Sequence, residues 1–218
     1  MRCLILAACS LLFLTACDKP ANDNPEGKTV KQKIEFHNLG SASLADGSTA
    51  WLRRSSNGHE YWFLITDKGV GRVAMKSPLQ EQAVMDEEPR QVLPSTPTVG
   101  AQWKHNTLPY FLRRRNESPA EFRYVDKYKS VPMTYVVSAK DVSLDTPAGR
   151  FEQCVRVDGQ MEMMLWHDDG RTYKPTPLLT REWYCPGVGL AQFERDEPTT
   201  AQFFQGGRMR MRLLDFTP

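Results

Sequence analysis

Soft metal ligation is the first chemistry the residue types suggest. Met161, Met163, Met164, Met209 and Met211 fall in two strand-like segments, and thioethers suit Cu(I). Methionine also adapts to irregular space, filling a core or lining an apolar groove. The alternation of Arg208, Arg210 and Arg212 with Met209, Met211 and Leu213 favours that packing role. His167-Asp168-Asp169 has cation-binding side chains, yet Asp-Asp-Gly at a hairpin tip already has a turn-forming reason to exist. His37, His59 and His105 are isolated in the sequence. There is no G-x-S-x-G, no H-E-x-x-H and no phosphate-cradling glycine loop. The expectation is a protein that is not an enzyme, with no catalytic residues, no metal and no cofactor.

Cys17 is the cysteine whose surroundings speak for a covalent modification. Arg2 precedes an apolar run from Leu4 to Leu14, which has signal-peptide rather than membrane-spanning length. The run ends in Leu14-Thr15-Ala16-Cys17, which resembles a bacterial lipobox, whose cysteine is acylated and becomes the mature N-terminus. An ordinary secretory signal with an accidental cysteine is the alternative. Leu6-Ala7-Ala8-Cys9 leaves too little apolar sequence upstream to compete. The reading is a signal peptide over 1–17 and a chain held to an envelope membrane by lipid on Cys17, facing the periplasm. Asp18 resembles the inner-membrane retention signal of enteric bacteria, so the inner membrane is slightly favoured over the outer.

Cys3 and Cys9 leave with that signal, and Cys17 carries lipid. Cys154 and Cys185 remain, an even number in an oxidising compartment. A disulfide between them is the plain inference, worth roughly 3.7 kcal/mol on a chain-entropy estimate for a loop of about 32 residues. A redox-active or metal-binding pair is the alternative, though no C-x-x-C spacing or nearby histidine accompanies either thiol.

After processing about 200 residues remain, enough for one domain with a real core. The net charge is +2, and removal of Arg2 brings it close to balance. No global field recruits nucleic acid. Arg113-Arg114-Arg115 and Asp86-Glu87-Glu88 are local charge runs, read as solvated surface.

These residues must be positioned by short strands. Residues 18–33 are polar, with Pro20, Pro25 and Gly27, and read as a flexible tether. A single antiparallel β domain is expected over 34–218. Ala50–Arg54 and Glu60–Thr66 flank Asn57-Gly58, a strong hairpin signal, and Asp67-Lys68-Gly69 leads into Val70–Met75. Ser77-Pro78-Leu79-Gln80 has helix-start chemistry, for a short helix stopped by Pro89. Val92–Thr98 reads as extended linker. Further strands are expected at Phe122–Tyr128, Met133–Ser138, Val142–Leu144, Phe151–Val157, Met161–Trp166, Leu179–Tyr184, Leu190–Glu194, Ala201–Phe204 and Arg208–Leu214, with Asp168-Asp169-Gly170 and Gln205-Gly206-Gly207 each closing a hairpin. The fold class is all-β: a curved antiparallel sheet or half-open β-barrel with little helix.

Two turns carry a resemblance. In Leu144-Asp145-Thr146-Pro147-Ala148-Gly149, Pro147 pre-sets a type I turn and Gly149 can take the positive φ of a bulged hairpin. In Glu182-Trp183-Tyr184-Cys185-Pro186-Gly187-Val188-Gly189-Leu190, Pro186 followed by Gly187 is type II chemistry. Together with Gly100-Ala101-Gln102-Trp103 they resemble an uncharacterised family of bacterial envelope domains with PAG-x-F-x-x-C and E-W-Y-x-P-G-V-G-L motifs, over about residues 92 to 195. The resemblance implies a half-barrel loosely similar to lipoprotein carriers of the LolA/LolB type, and implies no catalytic residues. The chain departs from the family pattern at Cys185, where a small residue is more common, so a Cys154–Cys185 link would be particular to this chain.

Aromatic residues exceed what turns require: Trp51, Tyr61, Trp62, Phe63, Trp103, Tyr110, Phe111, Trp166, Trp183 and Tyr184. A half-barrel without a covering helix leaves a concave apolar face to be filled or used. The leading expectation is a lipid-anchored, non-enzymatic binding module for an apolar ligand, a lipid or a lipoprotein. A structural or assembly lipoprotein that docks a periplasmic protein partner is the alternative, and an envelope hydrolase is the third. The partners expected are the membrane, through the anchor, and an apolar ligand or envelope protein, with no nucleic acid.

Overall fold

The computed structural model describes residues 12–17, 30–109, 113–114, 131–167, 170–199 and 204–217. Twelve strands form one antiparallel sheet: β1 (Leu12–Cys17), β2 (Val30–Ser43), β3 (Thr49–Ser55), β4 (Glu60–Thr66), β5 (Gly69–Lys76), β6 (Val84–Pro94), β7 (Gln102–Thr107), β9 (Val131–Thr146), β10 (Gly149–His167), β11 (Thr172–Cys185), β12 (Gly189–Glu197) and β14 (Gly207–Leu213). Their spatial order is β6-β5-β4-β3-β2-β1-β14-β12-β11-β10-β9-β7. The short strands β8 (Arg113–Arg114) and β13 (Phe204–Gln205) pair separately. No helix occurs among the described residues, so the all-β expectation holds.

The sheet is strongly curled. Arg195 on β12 donates from Nη1 to Thr107 Oγ1 on β7 at 3.3 Å. Laid flat, β12 and β7 would stand about 19 Å apart, four strand spacings, far beyond an arginine's reach. The two edge strands also approach each other, because Trp103 Nε1 on β7 donates to the Gln91 carbonyl on β6 at 2.9 Å. No ladder joins β6 to β7, so the sheet curves without closing into a barrel.

The turns form as their local chemistry dictates. Gly58, at φ 86°, turns β3 into β4. Gly149, at φ 128°, ends the Pro147-Ala148 turn, with the Ala148 N–H held by Thr146 Oγ1 at 3.2 Å. Gly187, at φ 75°, sits third in a turn closed by Val188 N–H on the Cys185 carbonyl at 3.2 Å, as a Pro-Gly type II turn requires.

Several expectations are corrected. Ser77-Pro78-Leu79-Gln80 makes its capping bond, Ser77 N–H to Gln80 Oε1 at 2.8 Å, but starts no helix. Residues from Val84 onward are drawn instead into pairing with β5, Met75 opposite Val84 and Ala74 opposite Met85. Most of the proposed linker at Val92–Thr98 lies beyond that strand, whose end is Pro94. Gln205-Gly206-Gly207 closes no hairpin: β13 pairs with β8, and β14 with β12 and β1, so the chain passes there from one sheet to the other. Asp158-Gly159 does not divide two strands. A Cβ at Gly159 would lie 2.4 Å from Thr180 Oγ1 and 2.9 Å from Tyr135 Cε1, so glycine is there to admit neighbours in mid-strand. Met133–Ser138 and Val142–Leu144 likewise merge into β9. Asp141 and Gln153, at φ 54° and 58°, accompany the register shifts between β9 and β10, bulges that bend long strands. The strand expected at Phe122–Tyr128 lies outside the described residues.

β1 occupies the stretch read as the end of a signal peptide, between β2 and β14, with Leu14 opposite both Ile34 and Leu213. β2 begins at Val30, inside the stretch read as tether. Processing at Cys17 would withdraw Leu12 to Ala16 and leave β2 and β14 flanking a slot one strand wide.

Candidate functional site

Strand register shows which side chains share a face. One row across the second half of the sheet runs Trp103, Tyr135, Gly159, Thr180, Arg195 and Met209, each opposite the next. A parallel row runs Val137, Val157, Glu182, Phe193 and Met211. This is the inner face, since it carries the Arg195 reach to Thr107. Met133, Tyr135, Val137, Val157, Met161, Met163 and Leu178 make its core. In the first half, Arg53 lies opposite Asn38 and Tyr61, and Trp51 lies opposite Phe63. Arg53 and Tyr184 perturb each other's ionisation, so this face of β3 looks across the interior at β11. Ala50, Leu52, Trp62, Leu64 and Ala74 form a separate core with Leu44; Leu52, Trp62 and Ala74 share a row on the opposite side of β3–β5.

The interior is polar at its centre. Arg195 Nε donates to Glu197 Oε1 at 2.6 Å, and their side chains are 2% and 0% exposed. Arg195 also donates to the Leu108 carbonyl. Tyr184 donates its hydroxyl to Glu182. Burial pushes the Glu182 carboxyl up to about 7, against the Tyr184 bond and the Arg195 charge, which both lower it. Burial also raises the Tyr184 hydroxyl, reinforced by Glu182. His105 stacks on Tyr135 with ring centroids 4.1 Å apart, and burial holds its pKa below the ordinary value. Asp86 is not the solvated surface charge expected of an acidic run. It accepts from Arg72 Nε and Nη2, both at 2.8 Å, and forms an ion pair with Arg90, whose Nε stands 3.0 Å from Oδ1.

Glu182 makes folding pH-dependent. Its folded pKa, about 7, lies above the unfolded 4.5, so the folded state binds the proton more tightly. That contribution to stability is whole below about 4.5 and is lost as pH rises through about 7. Glu182→Gln should remove this slope and, above about pH 7, raise the unfolding free energy by roughly 2–3 kcal/mol over the parent. Urea titrations on either side of that range measure it; an unchanged slope in the variant would place the titrating group elsewhere.

Among residues singled out in the sequence, Cys154 and Cys185 form a disulfide across β10 and β11, with Cα atoms 4.2 Å apart. That is just under the usual 4.4–6.8 Å range and close to the approach of a non-hydrogen-bonded antiparallel pair. Cys17 ends β1 opposite Val30. Pro147, Gly149, Pro186 and Gly187 hold the two turns at one end of β10 and β11. Met161 and Met163 are buried, Met209 and Met211 half-buried on the inner face, and Met164 is exposed. Met161 and Met163 thus belong to the core on β10, while Met209 and Met211 lie on β14, three strands away in the sheet. Among the described residues no group of three histidine, cysteine, aspartate or glutamate side chains is placed to hold a metal ion. Asp168 and Asp169 lie outside the described residues, while His167 beside them is buried. The interior residues Arg53, Glu182, Tyr184, Arg195 and Glu197 were not legible as a set, although Glu182 and Tyr184 sit inside a motif.

No family model and no curated protein matches the chain. A solved structure of a candidate lipoprotein from Parabacteroides distasonis ATCC 8503 matches over 97% of this chain and 96% of that one, with 15% identity and a TM-score of 0.36. That likeness is too distant to carry fold or function across.

Proposed function

We propose that the protein is a lipid-anchored envelope protein whose curled sheet holds an apolar ligand on its inner face, without catalysis. The ligand class is a lipid, a lipid acyl chain or the acylated end of a lipoprotein. The supporting observation is that Trp51 and Ile65 remain 44% and 48% exposed on the strand face that carries Phe63 and Tyr61. Large apolar side chains on the inside of a curved sheet favour a bound apolar chain over water. The interior polar residues are engaged with one another rather than grouped around a nucleophile, which favours binding over hydrolysis. Leu14-Thr15-Ala16-Cys17 supplies the anchor and the periplasmic address, with the inner membrane slightly favoured.

The test is photolabelling of the purified full chain with a neutral long-chain methyl ester carrying a diazirine. Labels should map to residues 51–65. Trp51→Glu with Ile65→Glu should cut labelling about tenfold or more, because each buried side chain is worth roughly 1.5–3 kcal/mol. The melting midpoint should stay near the parent's, since both positions are exposed. Labels confined to the outer face would overturn the reading.

A second reading has its own observation. Met164, Trp166 and Tyr173 are exposed together near the β10–β11 hairpin end, with the Trp166 and Tyr173 rings edge to face at 5.3 Å. An aromatic patch of this kind suits docking of a periplasmic protein.

A further inference from the structure

Arg53 is the inner-face guanidinium that meets no carboxylate among the described residues. Arg72 and Arg90 share Asp86, and Arg195 has Glu197. Arg53 Nε donates to Asn38 Oδ1 at 2.9 Å, and its Cζ stands 5.6 Å from the centre of the Phe63 ring. One contact comes from β2 and the other from β4, so the guanidinium is held from both sides. Among the described residues its two terminal nitrogens make no hydrogen bond, and they are not sealed from solvent. A half-buried positive charge fixed in place, with its bonding end open, is a feature that ordinary packing does not need.

A guanidinium offers two parallel N–H donors that match a carboxylate's two oxygens. Arg195 is balanced by Glu197, and Arg72 and Arg90 share the one carboxylate of Asp86, so the described part of the interior holds positive charge that an anionic head would offset. Along the same face, Trp51, Phe63 and Ile65 provide an apolar track beside that fixed charge.

We propose that the inner face takes a single-chain amphiphile with a carboxylate head, the head on the terminal nitrogens of Arg53 and the alkyl chain along Trp51, Phe63 and Ile65. This rests on the apolar-ligand reading above and names the head group that orients the ligand. Tyr184 faces Arg53 from β11, with its hydroxyl donated to Glu182.

The experiment compares two photoreactive probes on the purified full chain in a non-ionic detergent: a long-chain fatty acid carrying a diazirine, and its methyl ester. The acid should label residues 51–65 about tenfold more than the ester, the scale of a charge-assisted hydrogen-bond pair. Arg53→Met should bring acid labelling down to the ester's level, and Arg53→Lys should recover part of the difference. If Arg53→Met does not fold, Asn38→Ala takes its place and should lower acid labelling alone. Equal labelling by both probes, or an acid preference that survives these substitutions, overturns the proposal. Equal and strong labelling removes the charged anchor but leaves the apolar-ligand reading; no labelling by either removes both. A lysophospholipid that displaces the probe better than the unlabelled fatty acid overturns the carboxylate assignment in favour of a phosphate head.

Discussion

Glu197→Gln should unfold the protein at markedly lower denaturant concentration, with a loss of about 3–5 kcal/mol. The variant withdraws the carboxylate that sits 2.6 Å from Arg195, and both side chains are nearly sealed from water. Removing one member of a buried pair costs far more than the pair contributes, because the remaining charge keeps its desolvation penalty. Arg195 also ties β12 to Thr107 and Leu108 at the end of β7, so the loss should reach the curl of the sheet itself. Arg195→Met combined with Glu197→Leu should recover most of the stability, since apolar replacement of a buried pair is often near neutral. Urea titration of the two variants decides it. Glu197→Gln within about 1 kcal/mol of the parent would mean that the pair is solvated, as surface pairs are.

That pair also marks where sequence reading stops. The strands and their turns were legible because their causes are local. Asn57-Gly58, Pro147-Ala148-Gly149 and Pro186-Gly187 each bend the chain through the φ of one or two residues. The alternation of Arg208 to Leu213 was legible for the same reason, and its arginines do point outward, Arg208 to Asp196 and Arg210 to Glu194. Features that depend on distant partners were not legible. Gly159 looks like a breaker until Thr180, Met133 and Tyr135 are seen crowding its missing Cβ. Ser77-Pro78-Leu79-Gln80 has the beginning of a helix, and pairing of Val84 and Met85 with β5 outweighs it. Arg53 and Arg54 are neighbours of the same type. Only register shows that Arg53 faces in beside Asn38 and Phe63, whereas Arg54 pairs with Glu60 on the surface. A site assembled from strands far apart in the chain leaves no spacing to read.

Full reduction of Cys154–Cys185 should lower the melting midpoint by roughly 5–15 °C. The bond joins residues 31 apart in sequence, and closing a loop of that size removes about 2–4 kcal/mol of unfolded-chain freedom. For a chain of this length each kcal/mol moves the midpoint by about 2–4 °C. The native side adds to the effect, because both cysteines are buried in a cluster with Leu144, Val188, Ala191 and Leu213. Phe151 and Phe216 pack against it, their rings 5.8 Å apart. That cluster lies where the two motif turns meet the C-terminal strand, and Ala148 N–H donates to the Leu213 carbonyl at 3.2 Å. The crosslink therefore pins the end of the β10–β11 pair that both turns serve, on the strand that places Glu182 and Tyr184 in the interior. Melting curves with and without reductant, with alkylation confirming that both thiols have been released, measure the shift. A reduced protein that melts with the oxidised one would show that the ladder from Val155–Tyr184 onward holds this corner without the crosslink. A midpoint that falls while the Glu182-dependent pH slope also flattens would show that the disulfide fixes the interior as well as the corner.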